Sequence, residues 1–238
     1  MTGEKRFSSS HSAFWNSLLP MEEPYLRALN ERVRGFASLH RSWVPPEQRG
    51  TVNEAAFLLF AEATRRSLSA GRLPKTLVDE CVRRAERFVE AMSSRNPAGR
   101  MDYLATDESL IIAGRIEEFV KWRSGERVIV SPVFPGCGWV DDAQADLLID
   151  STLIEIKAGE RHFRAIDIRQ ILSYCALNSS SQSYRIDSVM LLNPRVGTLY
   201  EEGIEDLCQK TAGSPSPAIL GAIIEYISEP QLRYASEQ

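Results

Sequence analysis

The chemistry legible in this chain of 238 residues rests on two acids and an amine. Asp146 stands in the run AQADLLID, and the triplet Glu155-Ile156-Lys157 in the run TLIEIKAG. The segments Ala145–Asp150 and Leu153–Lys157 read as two short strands joined at Ser151-Thr152. If those two residues are the whole turn, Asp146 lies opposite Lys157 and Leu148 opposite Glu155. Side chains alternate along a strand, so Asp146, Glu155 and Lys157 emerge on one sheet face, toward the open end of the hairpin. Two neighbouring carboxylates repel each other and each favours a counter-charge. A hard divalent ion such as Mg²⁺, with Mn²⁺ as a substitute, takes oxygen ligands from one or two carboxylates and keeps several waters. Such an ion polarises a phosphoryl oxygen and acidifies a bound water. A lysine beside it stabilises developing charge or orients the attacking water. These are the parts needed to cut a phosphodiester. A lone E-x-K triplet also fits an ordinary half-exposed strand with alternating charge, so the surrounding residues have to decide.

They form an ordered set. An acid on one strand (Asp146), E-x-K on the next (Glu155, Lys157, followed by Ala158-Gly159), and a following helix with Gln170 and Tyr174 four residues apart resemble the PD-(D/E)XK nuclease superfamily, in its RecB-like branch. Residues four apart share a helix face, so Gln170 and Tyr174 both reach one site. The resemblance spans roughly residues 105–200 and includes the segment Val189–Asn193 with the turn NPRVG. Ala145, where the family often has proline, precedes Asp146. The resemblance implies a restriction-endonuclease-like α/β core. It further implies a Mg²⁺-dependent DNA endonuclease in which Asp146 and Glu155 bind the ion, Lys157 serves the attacking water or the charged transition state, and Gln170 and Tyr174 orient ligands or the substrate backbone. The family's helix acid is one of Glu108, Glu117 and Glu118. Stepping residues at about 100° puts Glu117 at the flank of the apolar stripe Ile112, Ile116, Phe119 and Val120, with Glu118 toward solvent and Glu108 a turn earlier. Glu117 is therefore the expected third metal ligand. Anti-phage defence, restriction or repair is the setting the resemblance suggests.

Other polar residues near the triplet are weaker candidates. Asp141 and Asp142 lie in the loop before Asp146, and Asp150 at the turn end of its strand. Arg161, Arg164 and Arg169 either hold a DNA phosphate or offset Glu160 and Asp167. His162 is a lone imidazole without a visible partner, and Trp139 either stacks on a base or packs internally, the commoner fate of tryptophan.

The elements that position these residues follow from periodicity. Residues 1–12, rich in serine, read as a loose terminus. Helical spacing follows over Glu22–Trp43, Val52–Leu68 and the segment after Pro74, and Ser93–Gly99 reads as a linker. Beyond it come a helix (about Thr106–Ser124), strands at Val128–Phe134, Ala145–Asp150 and Leu153–Lys157, a helix at Arg164–Asn178, and strands at Asp187–Asn193 and Gly197–Tyr200. Glu202–Lys210 reads as a helix and Pro217–Tyr226 as a helix or strand. The expected organisation is an all-helical region, residues 1–100, docking DNA or a partner, followed by a mixed α/β sheet flanked by helices, residues 101–238.

Composition sets bounds. Residues 1–100 carry 16 Lys+Arg against 11 Asp+Glu, and residues 101–238 carry 12 against 21. That asymmetry fits a basic arm facing a polyanion, or merely solvated helix faces. Four scattered cysteines and three histidines offer neither a disulfide framework nor zinc-ligand spacing. No apolar run is long enough to span a bilayer and no secretory signal is visible, so a cytoplasmic protein is expected. A second class of function stays open: a nuclease-like fold without cleavage that binds DNA, forms a homodimer, or docks a partner ATPase or helicase through the helical region. An RNA-directed nuclease is a third.

Overall fold

The structure, a computed structural model, describes residues 2–92 and 100–229; the expected linker lies outside the described residues. Its helices are α1 (Glu4–Ser9), α2 (Ser12–Leu18), α3 (Glu22–Glu31), α4 (Arg49–Arg65), α5 (Lys75–Met92), α6 (Tyr103–Arg123), α7 (Ala165–Ser181), α8 (Ile204–Ala212) and α9 (Ser216–Ser228). Its strands are β1 (Arg34–Gly35), β2 (Val128–Val130), β3 (Val133–Phe134), β4 (Ala143–Gln144), β5 (Leu147–Ile149), β6 (Thr152–Ile156), β7 (Ser188–Asn193) and β8 (Thr198–Gly203). Six of the strands form one mixed sheet in the order β1-β8-β7-β6-β5-β2, and β3 pairs with β4 beside it. Among the described strands only β6 and β7 pair in parallel, and α7 is the crossover that a parallel pair requires. The chain is therefore α/β, with a mixed sheet flanked by helices.

Alternation along the central strands sorts the core into two layers. Leu148, Leu153, Val189 and Leu191 point to one face and pack with α7, α8, α9 and the aromatic start of the chain. Leu147, Ile149, Ile154, Met190 and Leu192 point to the other and pack with α4 and α6. Both layers recruit residues from the first hundred. Phe7, Trp15 and Leu29 join the first, and Val52, Leu59 and Phe60 the second. The front helices thus complete the sheet's two covers instead of standing apart as a separate helical unit.

Two expectations about elements change, and a third, open between helix and strand, is decided. The helix expected over Glu22–Trp43 ends at Glu31, because Arg34–Gly35 pairs with β8 as an edge strand of the sheet and the Phe36 and His40 amides donate to the Gly197 and Arg195 carbonyls. Gly197 sits at φ +75°, and a Cβ there would lie 2.0 Å from the Ala37 carbonyl oxygen, which explains the glycine that closes NPRVG. The serine-rich start is not loose: Phe7 and Ser8 are buried. Pro217–Tyr226 lies within a helix, not a strand.

The hairpin forms, in a different register. Leu148 faces Leu153 and Ile149 faces Thr152, so the turn is Asp150-Ser151. Asp150 takes φ +53°, a conformation Asp tolerates better than most residues, and its carboxylate accepts the Arg127 amide at 2.9 Å. Thr152 stays in the strand, where its hydroxyl meets that of Ser188 at 2.8 Å. Each residue of β5 thus meets a partner two positions earlier in β6 than expected. An even shift preserves facing, so the predicted common face survives the wrong turn.

Candidate active site

One further step of the observed register brings Asp146 opposite Glu155 at the open end of the β5–β6 hairpin. Both face α7. The Ile156 amide donates to Asp146 Oδ2 at 2.6 Å, which fixes the aspartate against the neighbouring strand. Glu155 is 3% exposed, and its two oxygens differ. Oε1 accepts from Lys157 Nζ at 2.8 Å, whereas Oε2 is buried with no hydrogen-bond partner among the described residues. A buried carboxylate oxygen without a donor is costly, and a cation is one group that would satisfy it.

Lys157 also donates to Gln170 Oε1 at 2.7 Å and lies 3.7 Å from Asp167 Oδ1. Gln170 in turn donates to the Tyr174 hydroxyl at 2.8 Å. The helix residues therefore extend a chain of hydrogen bonds that begins at the glutamate. Helix α7 is set by Asp167, which accepts the Arg164 amide at 2.9 Å and holds Arg161 through two bonds of 2.7 and 2.9 Å. This start places Gln170 and Tyr174 under the hairpin.

The electrostatics oppose a second negative charge beside Glu155 in the cation-free pocket. Asp146 is pushed up to about 8, first by burial and then by the adjacent Glu155, against the opposing Ile156 amide and the ammonium groups of Lys157 and Lys5. For Lys157, burial alone favours the neutral amine, but Glu155, Asp167 and Asp146 hold its proton and the net shift is upward. Lys157 is therefore an ammonium in the resting site, suited to stabilising charge and not to removing a proton from water.

The Asp146 shift predicts a pH dependence of stability in cation-free protein. A carboxyl whose folded pKa lies above its unfolded value of 3.8 binds more protons in the folded state, so its contribution falls as pH rises from about 4 to about 8. Asp146→Asn, neutral throughout, is expected to gain thermal stability relative to the parent across that window. A melting-temperature difference that stays flat from pH 4 to 9 would contradict this.

Asp146, Glu155, Lys157, Gln170 and Tyr174 thus meet in one cluster. The expected third ligand, Glu117, does not join them. Helix α6 packs on the opposite face of the sheet, where Glu117 accepts the Ala70 amide at 2.5 Å at the edge of a groove of about 610 Å³ lined by Phe60, Arg72 and Lys121, among others. Its carboxyl is raised by burial, against the Ala70 amide and Lys121. The two alternatives on α6 are also elsewhere. Glu118 is exposed, and Glu108 is fully buried in an ion pair with Arg195. The angular argument ranked residues around α6 correctly but could not reveal which sheet face the helix covers.

The weaker candidates resolve into structure. Asp142 accepts the Gly136 amide at 2.7 Å, and Trp139 packs against Phe7, His11 and Tyr226. Arg161 pairs with Asp167, and Arg169 with Glu22, leaving Arg164 exposed at the start of α7. His162 is exposed without a side-chain partner among the described residues. The cysteines carry no disulfide. Among the described residues no helix is long and apolar enough to cross a membrane, and no three His, Cys, Asp or Glu side chains converge as a ready-made metal cage.

Residues missed from the sequence lie at the chain's start. Glu4 reaches Gln170 and Tyr174, and Lys5 acts on Asp146. Spacing carries no signal for either, because 140 residues separate them from the hairpin and only tertiary packing brings them back. Comparison with protein-family models, curated proteins and solved structures found no match to this chain.

Proposed function

We propose that the chain is a divalent-cation-dependent nuclease of the PD-(D/E)XK type, hydrolysing phosphodiester bonds in DNA. The observation that carries this reading is the buried, donor-less Oε2 of Glu155 beside Asp146, with the Lys157 ammonium on the same glutamate's other oxygen. Asp146 and Glu155 would hold a hard cation such as Mg²⁺. When bound, the ion would polarise the phosphoryl group and supply a more acidic water. Lys157, held charged between Glu155 and Gln170, places a fixed ammonium where negative charge develops on the phosphate. Gln170 and Tyr174 hold that ammonium in register from α7.

A second reading draws on the same ion pair. Lys157 neutralises Glu155 from within, which also suits a nuclease-like fold retained as a DNA-binding or assembly subunit beside an ATPase or helicase. One experiment separates the two. The purified chain is incubated with supercoiled and linear DNA in Mg²⁺ or Mn²⁺, beside Glu155→Gln, Lys157→Ala and Glu117→Gln proteins. Cleavage by the parent and by Glu117→Gln, lost in the other two, supports the enzyme. Parent protein that stays silent at all cation concentrations while still binding DNA supports the subunit. A defence, restriction or repair setting follows the enzyme reading and stands or falls with it.

A further inference from the structure

The start of the chain is fastened beside the acid pair. The Thr2 amide donates to the Trp139 carbonyl at 2.9 Å, and the Asp141 amide donates to the Thr2 carbonyl at 3.1 Å, so the first residues run along the loop that leads to Asp146. Helix α1 then lies on α7. Phe7 is buried among Trp15, Trp139 and Tyr226, and the Ser8 hydroxyl meets that of Ser173 at 3.3 Å. This packing aims Glu4 inward. Its Oε1 lies 3.3 Å from the Tyr174 hydroxyl and 3.4 Å from Gln170 Nε2. Tyr174 shares its proton between Glu4 and the Gln144 carbonyl at 3.2 Å, two residues before Asp146. The Tyr174 hydroxyl is pushed up first by burial and then by the neighbouring Glu155, Glu4 and Asp146, so it stays a donor.

We propose that Glu4 is the third acid of the cation site, delivered by the N-terminal segment and not by α6. It rests on the nuclease reading for the presence of a divalent ion, though not for the substrate. Glu4 is too far from the pair to form a three-acid cage with them directly. A Mg²⁺-like ion keeps several waters, and a carboxylate one water away accepts from that shell and adds negative charge. Tyr174 and Gln170 fix Glu4 at the end of the hydrogen-bond chain that starts from Glu155, whose other oxygen, Oε2, has no partner among the described residues. The residue is a positioning group for the ion's waters, separate from the direct ligands Asp146 and Glu155.

The test uses the full chain with Mn²⁺ as probe. Calorimetry is run on the parent, Glu4→Gln, Glu4→Asp and Glu117→Gln, with DNA cleavage followed in parallel. Loss of an outer carboxylate is expected to weaken Mn²⁺ binding about tenfold or more in Glu4→Gln. Glu4→Asp should recover most of that loss, and Glu117→Gln, which removes a carboxylate from the opposite face of the sheet, should bind as the parent does. Parent-like affinity in Glu4→Gln, or an equal loss in Glu117→Gln, overturns the inference while leaving the nuclease reading intact. A parent that binds no Mn²⁺ overturns both. If Glu4→Gln weakens Mn²⁺ binding but the parent cuts no DNA, Glu4 is supported and the nuclease reading falls.

Discussion

Glu155→Gln is expected to slow cation-dependent cleavage by about 10³-fold without unfolding the protein. The glutamine keeps the shape of the side chain and an oxygen able to accept from Lys157 Nζ, so the link to Gln170 and α7 persists. What disappears is the negative charge at the buried Oε2. Removing a ligand charge of this kind costs several kcal/mol of transition-state stabilisation, and each factor of ten in rate corresponds to about 1.4 kcal/mol. Lys157→Ala is expected to cost about 10²–10³-fold, the range for removing one positioned donor from a developing oxyanion. Its interpretation needs more care, because the truncation strands the Glu155 charge. Both rates are to be compared at matched folded fraction, read by circular dichroism. Retention of parent-like turnover in Glu155→Gln would remove this carboxylate from the chemistry.

The second large effect is on stability. Glu108 and Arg195 are both fully buried and form an ion pair. Each side-chain nitrogen and oxygen of the pair has at least one partner: Glu108 accepts from the Ser42 hydroxyl at 2.8 Å and the Trp43 amide at 3.0 Å, while Arg195 donates to the Ala158 carbonyl at 2.7 Å and to Asn53 Oδ1 at 2.9 Å. Burial opposes the Glu108 charge, but Arg195 and those two donors hold its carboxyl below the usual carboxylate range. Glu108→Ala leaves a guanidinium inside the protein without a counter-charge, and breaking a buried pair in this way is expected to cost about 3–5 kcal/mol. That is a large part of the roughly 5–15 kcal/mol that stabilises a typical domain. The double variant Glu108→Leu with Arg195→Met should be milder than either single change, because no charge is left alone. Urea denaturation reads both. A Glu108→Ala protein within about 1 kcal/mol of the parent would show that water reaches the pair. Since Arg195 anchors the carbonyl that directly follows Lys157, the same variant should also loosen the end of β6.

Much of the candidate site was legible because it is local in the chain. Asp146, Glu155 and Lys157 lie on adjacent strands of one hairpin, where two-residue alternation keeps them on one face for either of the two-residue turns. The turn itself was misplaced by one residue, since both Asp150-Ser151 and Ser151-Thr152 satisfy a two-residue loop, and the choice depends on Asp150 entering the left-handed region to bond Arg127. Gln170 and Tyr174 followed from helical spacing once α7 was placed.

By itself, then, the amino-acid sequence determined the alternating strands, the amphipathic helices and the grouping of two acids, an ammonium, an amide and a phenol within thirty residues. Only the tertiary structure decided which helix covers which sheet face. It sent Glu117 and Glu108 away from the acid pair, folded Arg34–Gly35 onto β8, and brought Glu4 back across the chain to Tyr174. The reason is physical: periodicity reports which side of an element is apolar, but its partner is chosen by burial and hydrogen-bond pairing summed over the whole molecule.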